Sequence, residues 1–116
     1  MLLLIDDDES FRSGLADNLR EDGYDLAEYE SGLAVPLDRV RDVDAVLTDY
    51  LMDREDGLAF AKRFHDAFPM VPIIIITAYA TAHLEKEVAA QAYLTLLQKP
   101  VDYARLLELL EQKKQP

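Results

Sequence analysis

An apolar tetrad, Leu2-Leu3-Leu4-Ile5, runs straight into Asp6-Asp7-Asp8, and a second segment, Ala45-Val46-Leu47-Thr48, ends on Asp49. Ile73 to Ile76 is followed by Thr77, and Thr95 to Gln98 by Lys99-Pro100. These side chains can act together only if folding brings the four segment ends to one place. Three or four carboxylates converging there would repel one another strongly unless a cation stood between them. Oxygen ligands with no His or Cys among them suit a hard divalent ion, and magnesium above others. A carboxylate beside magnesium, with a hydroxyl and an ammonium at hand, is the equipment for accepting a phosphoryl group. It supplies one nucleophile, with cations and a donor for the transferred oxygens.

The elements that must position these groups are legible in the hydrophobic periodicity. Leu2 to Ile5 is a short continuous apolar run, as expected of a strand buried on both faces. Phe11, Leu15, Ala16 and Leu19 recur at helical spacing, and Glu21-Asp22-Gly23 ends that first helix. Leu26 to Tyr29 reads as a weaker second strand, and a second helix is expected from Ser31-Gly32 to about Arg41, with a late start or distortion at Pro36. Ala45 to Thr48 is the third strand. Asp56-Gly57 then signals a turn before a helix carrying Leu58, Ala61, Phe64 and Phe68, which Pro69 and Pro72 close. Val71 and the isoleucines from Ile73 to Ile76 suit the middle of a parallel sheet. A fourth helix is predicted over Ala82 to Ala92 and a fifth strand over Thr95 to Gln98. The fifth helix runs from Asp102, its N-cap, to about Gln112, with Leu106, Leu107, Leu109 and Leu110 facing inward. Five strands alternating with five helices predict an α/β fold, a doubly wound five-stranded parallel sheet. In such a sheet the carboxyl ends of the strands form the ligand crevice, where the acids, Thr77 and Lys99 fall.

Composition narrows the alternatives. A chain of 116 residues, 50% of them apolar, has the length of one domain over residues 1–116, with 112–116 a frayed tail or the start of a linker. Cysteine is absent, which rules out disulfides and thiolate chemistry and suits a cytoplasmic protein. With 12 basic against 23 acidic residues the net charge is −11, the wrong sign for gripping nucleic acid or an anionic membrane. The excess is concentrated: residues 1–58 hold 17 acids and 5 bases, residues 59–116 hold 6 acids and 7 bases. No segment approaches a membrane span, and Met1 to Ile5 lacks the length and basic flank of a signal peptide.

Leu4-Ile5-Asp6-Asp7-Asp8-Glu9, Leu47-Thr48-Asp49-Tyr50-Leu51-Met52 with Asp56-Gly57-Leu58, Ile76-Thr77-Ala78 and Lys99-Pro100 resemble, in order and spacing, the receiver domain of two-component response regulators. The resemblance implies a flavodoxin-like fold with strand order 2-1-3-4-5. It implies that Asp49 accepts a phosphoryl group from a sensor histidine kinase or phosphotransfer protein. Magnesium would be held by Asp6, Asp7, Asp49 and the backbone carbonyl of Leu51, while Thr77 and Lys99 contact the phosphoryl oxygens and Lys99-Pro100 is cis. Phosphorylation would switch the face built from the fourth helix, fifth strand and fifth helix, to be read by an output domain, an effector protein or a second copy of the chain. The domain would be a signalling module, not an enzyme acting on other substrates. Leu51 and Tyr79 would flank the water that hydrolyses the acyl phosphate.

Asp6-Asp7-Asp8-Glu9-Ser10 also fits the Asp-x-Asp-x-Ser pattern of haloacid dehalogenase-type phosphatases, with Asp6 as nucleophile and Asp8 as acid and base. That reading leaves Asp49 without a role. A phosphorylation-independent binding module on the same fold would leave the acids and Lys99 unexplained. Asp8 is read as a helix cap and not a metal ligand. His65 and His83 have no partner in ligand spacing. Three departures from the family pattern stand out: Asp53 follows Met52 where proline is usual, adding a carboxylate near the metal; Ala92-Tyr93 replaces Gly-Ala before the fifth strand; and Leu96 occupies the place of a switching aromatic.

Overall fold

A computed structural model describes residues 1–114, so Gln115 and Pro116 of the polar tail lie outside the described residues. Five parallel strands, β1 (Leu2–Ile5), β2 (Leu26–Tyr29), β3 (Ala45–Asp49), β4 (Ile73–Thr77) and β5 (Leu94–Gln98), form one sheet in the order β2-β1-β3-β4-β5. The helices are α1 (Glu9–Glu21), α2 (Gly57–Ala67), α3 (Ala82–Ala89) and α4 (Tyr103–Lys114). The strand alternation divides the core in two. Leu2, Leu4, Leu47, Ile74 and Ile76 pack with Leu15, Ala16 and Leu19 of α1 and with Leu106, Leu109 and Leu110 of α4. Leu3, Ile5, Val46, Ile73 and Ile75 pack with Phe60, Ala61 and Phe64 of α2 and with Leu84 and Val88 of α3. Successive residues of each central strand thus serve opposite faces, which is why the strands carry no polar alternation.

The expected fifth helix, second in chain order and running from Ser31 to about Arg41, does not form. A single 3-10 turn at Gly32–Ala34, capped by the Ser31 hydroxyl, is followed by a separate turn in which the Pro36 carbonyl accepts from Arg39 and Val40 N–H. Pro36 has no N–H to continue the first turn and its ring opposes the preceding one, so the segment divides there. Val35 and Val40 still reach the core beside α2 and α3. The fourth predicted helix ends at Ala89, short of Ala92.

The helix entrances carry the caps that the sequence promises. Asp8, Asp56 and Thr81 accept through their side chains from the backbone N–H of Phe11, Ala59 and Leu84. Asp102 does the same for Arg105, and α4 continues through Gln112 to Lys114. Gly23, at φ 90°, turns the chain out of α1 in a conformation that L side chains resist. Among the described residues no helix is long and apolar enough to cross a membrane.

Candidate functional site

Parallel register sets the site. Ile5 pairs with Thr48 and Asp49 with Ile76, so Asp6, one step beyond β1, comes level with Asp49 at the carboxyl edge. Thr77 closes β4 opposite Gln98, and Lys99 N–H donates to the Thr77 carbonyl at 2.9 Å, which brings the lysine to the same edge. Carboxylate oxygens of Asp6, Asp7 and Asp49 lie within 4.8 Å of one another. Asp6 is 1% exposed and Asp49 9% exposed, whereas Asp7 faces solvent.

One cation serves this cluster from within. Lys99 Nζ stands 3.1 Å from Asp6 Oδ2 and 3.8 Å from Asp49 Oδ1, and it lies 4.2 Å from the centre of the Phe11 ring. The ring's face favours the ammonium and shields one side of it from water. Asp6 Oδ1 accepts from Asp8 N–H at 2.9 Å, and Asp49 Oδ1 accepts from Tyr50 N–H at 2.8 Å. One ammonium against three carboxylates leaves the site negative. Burial and the neighbouring Asp6 push the Asp49 carboxyl up to about 6, with a smaller push from Asp7 against the opposing pull of Lys99 and the Tyr50 N–H. An all-oxygen, uncompensated cluster of this kind fits a hard divalent cation.

Two further placements bear on the sequence reading. Asp8 is engaged as the cap of α1 and stands outside the carboxylate cluster, which removes the acid-base partner that the phosphatase pattern requires. Asp53 stands outside the cluster of Asp6, Asp7 and Asp49 but shares a cleft of about 400 Å³ with Asp7, lined also by Glu30, Ser31, Leu33 and Arg54. Leu51 and Tyr79, at 49% and 66% exposure, stand in the loops that leave β3 and β4. The Thr77 hydroxyl accepts from Tyr79 N–H at 3.0 Å, and the Lys99-Pro100 peptide is cis.

Gly57, which in the sequence marks a turn and a family motif, has a further role in making room for Asp49. A Cβ on Gly57 would collide with the Asp49 carbonyl oxygen and lie 2.9 Å from Tyr50 Cα, while Gly57 N–H donates to the Tyr50 carbonyl at 2.7 Å. The start of α2 is thus pressed onto the end of β3. Arg63 secures the loop between them, with Nε and Nη2 each 2.9 Å from a different oxygen of Glu55 and Nη2 also 3.2 Å from the Gly32 carbonyl. Gly57→Ala is expected to cost about 2 kcal/mol, since backbone and not a pliable side chain must yield. A urea midpoint equal to wild type would show that the loop accommodates the methyl group freely.

The sequence matches the model of the response regulator receiver domain over residues 2–111. The chain belongs to that family. It is 37% identical over 111 residues to the transcriptional regulatory protein ZraR of Salmonella typhimurium, covering 95% of this chain and 25% of that one. Against the DNA-binding transcriptional regulator NtrC of Klebsiella pneumoniae the identity is 33% over 110 residues, covering 93% of this chain and 23% of that one. The receiver domain therefore spans about a quarter of the length of these curated relatives. Among solved structures, the signal receiver domain of an HD domain-containing protein from Pseudomonas fluorescens Pf-5 superposes with a TM-score of 0.84 at 27% identity, covering 97% of this chain and 84% of that one. The receiver domain is a signalling domain, and its strand order is the one expected from the sequence.

Proposed function

We propose that Asp49 takes a phosphoryl group from a phosphohistidine on a sensor histidine kinase or phosphotransfer protein, in the cytoplasm. The observation that carries this reading is Lys99 Nζ set between Asp6 and Asp49 inside a three-carboxylate cluster. Asp6, Asp7 and Asp49, with the Leu51 carbonyl, would hold magnesium, which supplies positive charge opposite the oxygens of the transferred group. A carboxylate oxygen of Asp49 forms the new P–O bond as the P–N bond breaks, and the departing imidazole takes a proton from solvent. Lys99 offers its charge to the phosphoryl oxygens. The Thr77 hydroxyl can donate to one of them while still accepting from Tyr79 N–H, because a hydroxyl carries one donor and two acceptor sites. Any shift of Thr77 is thereby passed to the loop that leads through Thr81 into α3.

The face that responds is α3, β5 and α4, and its reader is an output domain, an effector protein or a second copy of the chain. At β5 the switch differs from one built on a swinging aromatic. Leu96 is half-buried against the core beneath α2 and α3, and Tyr93 is stacked on His65 with centroids 3.6 Å apart, at the opposite end of the strand from Lys99. The domain contacts neither nucleic acid nor membrane itself, and its catalysis is confined to its own phosphorylation and dephosphorylation.

Incubation with acetyl phosphate, with and without magnesium, tests the proposal. Intact-mass spectrometry should find one phosphoryl group per chain, taken up only with the metal. Continuous release of phosphate from an excess of a phosphate monoester would instead favour the phosphatase reading.

The lifetime of the acyl phosphate follows from the mouth of the site. Neither Leu51 nor Tyr79 has a carboxylate or amide with which to orient an attacking water, so the gain from a positioned nucleophile is forgone. Hydrolysis is expected to be slow, and faster by up to about tenfold in Leu51→Asn or Tyr79→Glu. Loss of phosphate after donor removal, followed in excess magnesium, checks this; equal decay in wild type and both variants would contradict it.

A further inference from the structure

Asp6 and Asp7 are adjacent in sequence but held in different ways. The Asp6 carboxylate is buried and engaged by Asp8 N–H and Lys99, whereas Asp7 is exposed and depends for its place on the backbone that carries it. The plane of the Asp6–Asp7 peptide therefore decides where the second carboxylate stands relative to the first. A strand contact fixes the peptide before it, and one side-chain contact holds that plane itself. Asp6 N–H donates to the Tyr29 carbonyl of β2 at 3.1 Å, and the Asp6 carbonyl accepts from Arg12 Nη1 at 2.7 Å.

Arg12 is itself fixed. It lies on α1 one turn beyond the capping Asp8, its side chain is 15% exposed, and its Nε donates to Glu28 Oε1 on β2 at 3.2 Å. The other Glu28 oxygen accepts from Arg20 Nη1 at 3.0 Å, and Arg20 Nη2 reaches the Leu26 carbonyl at 3.3 Å. A planar guanidinium engaged at two of its edges cannot rotate without breaking one contact, so the fork transmits the position of β2 to the Asp6 carbonyl.

We propose that Arg12, oriented by Glu28, is a positioning residue for the Asp6–Asp7 pair, holding their shared peptide so that both carboxylates meet one divalent cation. This role rests on the magnesium site proposed above, and it adds a residue to that site which bears no ligand atom. The sign of the effect separates it from simple electrostatics. A cation near a metal site repels the metal, so if Arg12 acted through its charge alone its removal would tighten binding or leave it unchanged. Positioning requires the reverse.

Isothermal titration of the full chain with magnesium, paired with thermal unfolding in EDTA, decides the matter. Arg12→Met is expected to bind magnesium about tenfold more weakly than wild type, as is common when a residue that orients metal ligands is lost. Arg12→Lys, which keeps a donor and the charge, should recover part of the affinity. An Arg12→Met chain with a lower melting temperature but unchanged or tighter magnesium binding would show a structural residue only and overturn the proposal. Should Arg12→Met fail to fold, Glu28→Gln decides, because it retains the guanidinium while weakening its anchor. Weaker magnesium binding supports the role, and wild-type affinity overturns it. Absence of magnesium binding by the wild-type chain would overturn the metal site itself, and this role with it.

Discussion

Asp49→Asn is expected to abolish phosphoryl uptake from acetyl phosphate in magnesium, a loss of more than about a thousandfold, since no neighbouring group can replace the nucleophile. Asp6 is the buried alternative at the same edge, but both of its oxygens are engaged, Oδ1 by Asp8 N–H and Oδ2 by Lys99. Asp7 is exposed and has no comparable position beside Lys99. Burial and the neighbouring Asp6 push the Asp49 carboxyl up to about 6, so its free ionised state is costly. Intact-mass spectrometry of wild type and Asp49→Asn side by side makes the measurement. Stoichiometric labelling of the variant would move the acceptor elsewhere and restore Asp6 as a candidate.

The same crowding has a thermodynamic consequence. An ordinary Asp carboxyl titrates at 3.8, whereas folding moves that of Asp49 to about 6. Between those values the folded chain binds more protons than the unfolded chain, so stability falls as pH rises through the window. The contribution favours folding in acid and is lost above about pH 6, where the ionised group costs the fold at most about 3 kcal/mol, less whatever water at the open mouth screens. Asp49→Asn removes this dependence. In EDTA the melting curves of wild type and variant should nearly coincide at about pH 4 and separate towards about pH 7, the variant melting higher by roughly 5 °C or more. Magnesium should narrow the gap by stabilising wild type, by about 2.7 kcal/mol at a hundredfold excess over Kd. A variant that melts at or below wild type near neutral pH in EDTA would mean that the three carboxylates do not burden the metal-free fold.

What the sequence revealed and what it withheld divide along a physical line. Leu2 to Ile5 and Ile73 to Ile76 could be read as buried strands because both sheet faces are covered, and once the strands are parallel their carboxyl ends must share an edge. Asp6, Asp7, Asp49, Thr77 and Lys99 are therefore legible as one constellation in the sequence. The segment after Ser31 reads as a helix distorted at Pro36, and the structure divides it there into two separate turns. Asp53 reads in the sequence as a further carboxylate near the metal site, and the loop sets it in a cleft that Asp7 also lines. Gly57 is legible as a turn signal and part of a family motif, but the need for its missing side chain arises only from the close approach of α2 to β3. Arg12 and Glu28 stand 16 residues apart, and their link to the Asp6 carbonyl exists only once β2 lies beside β1.

The most direct test of the account is where the phosphoryl group resides. Wild-type chain phosphorylated in magnesium, reduced with borohydride at the acyl phosphate and digested, should yield a single modified residue, Asp49, by tandem mass spectrometry. Modification at Asp6, or at any residue in place of Asp49, would contradict it.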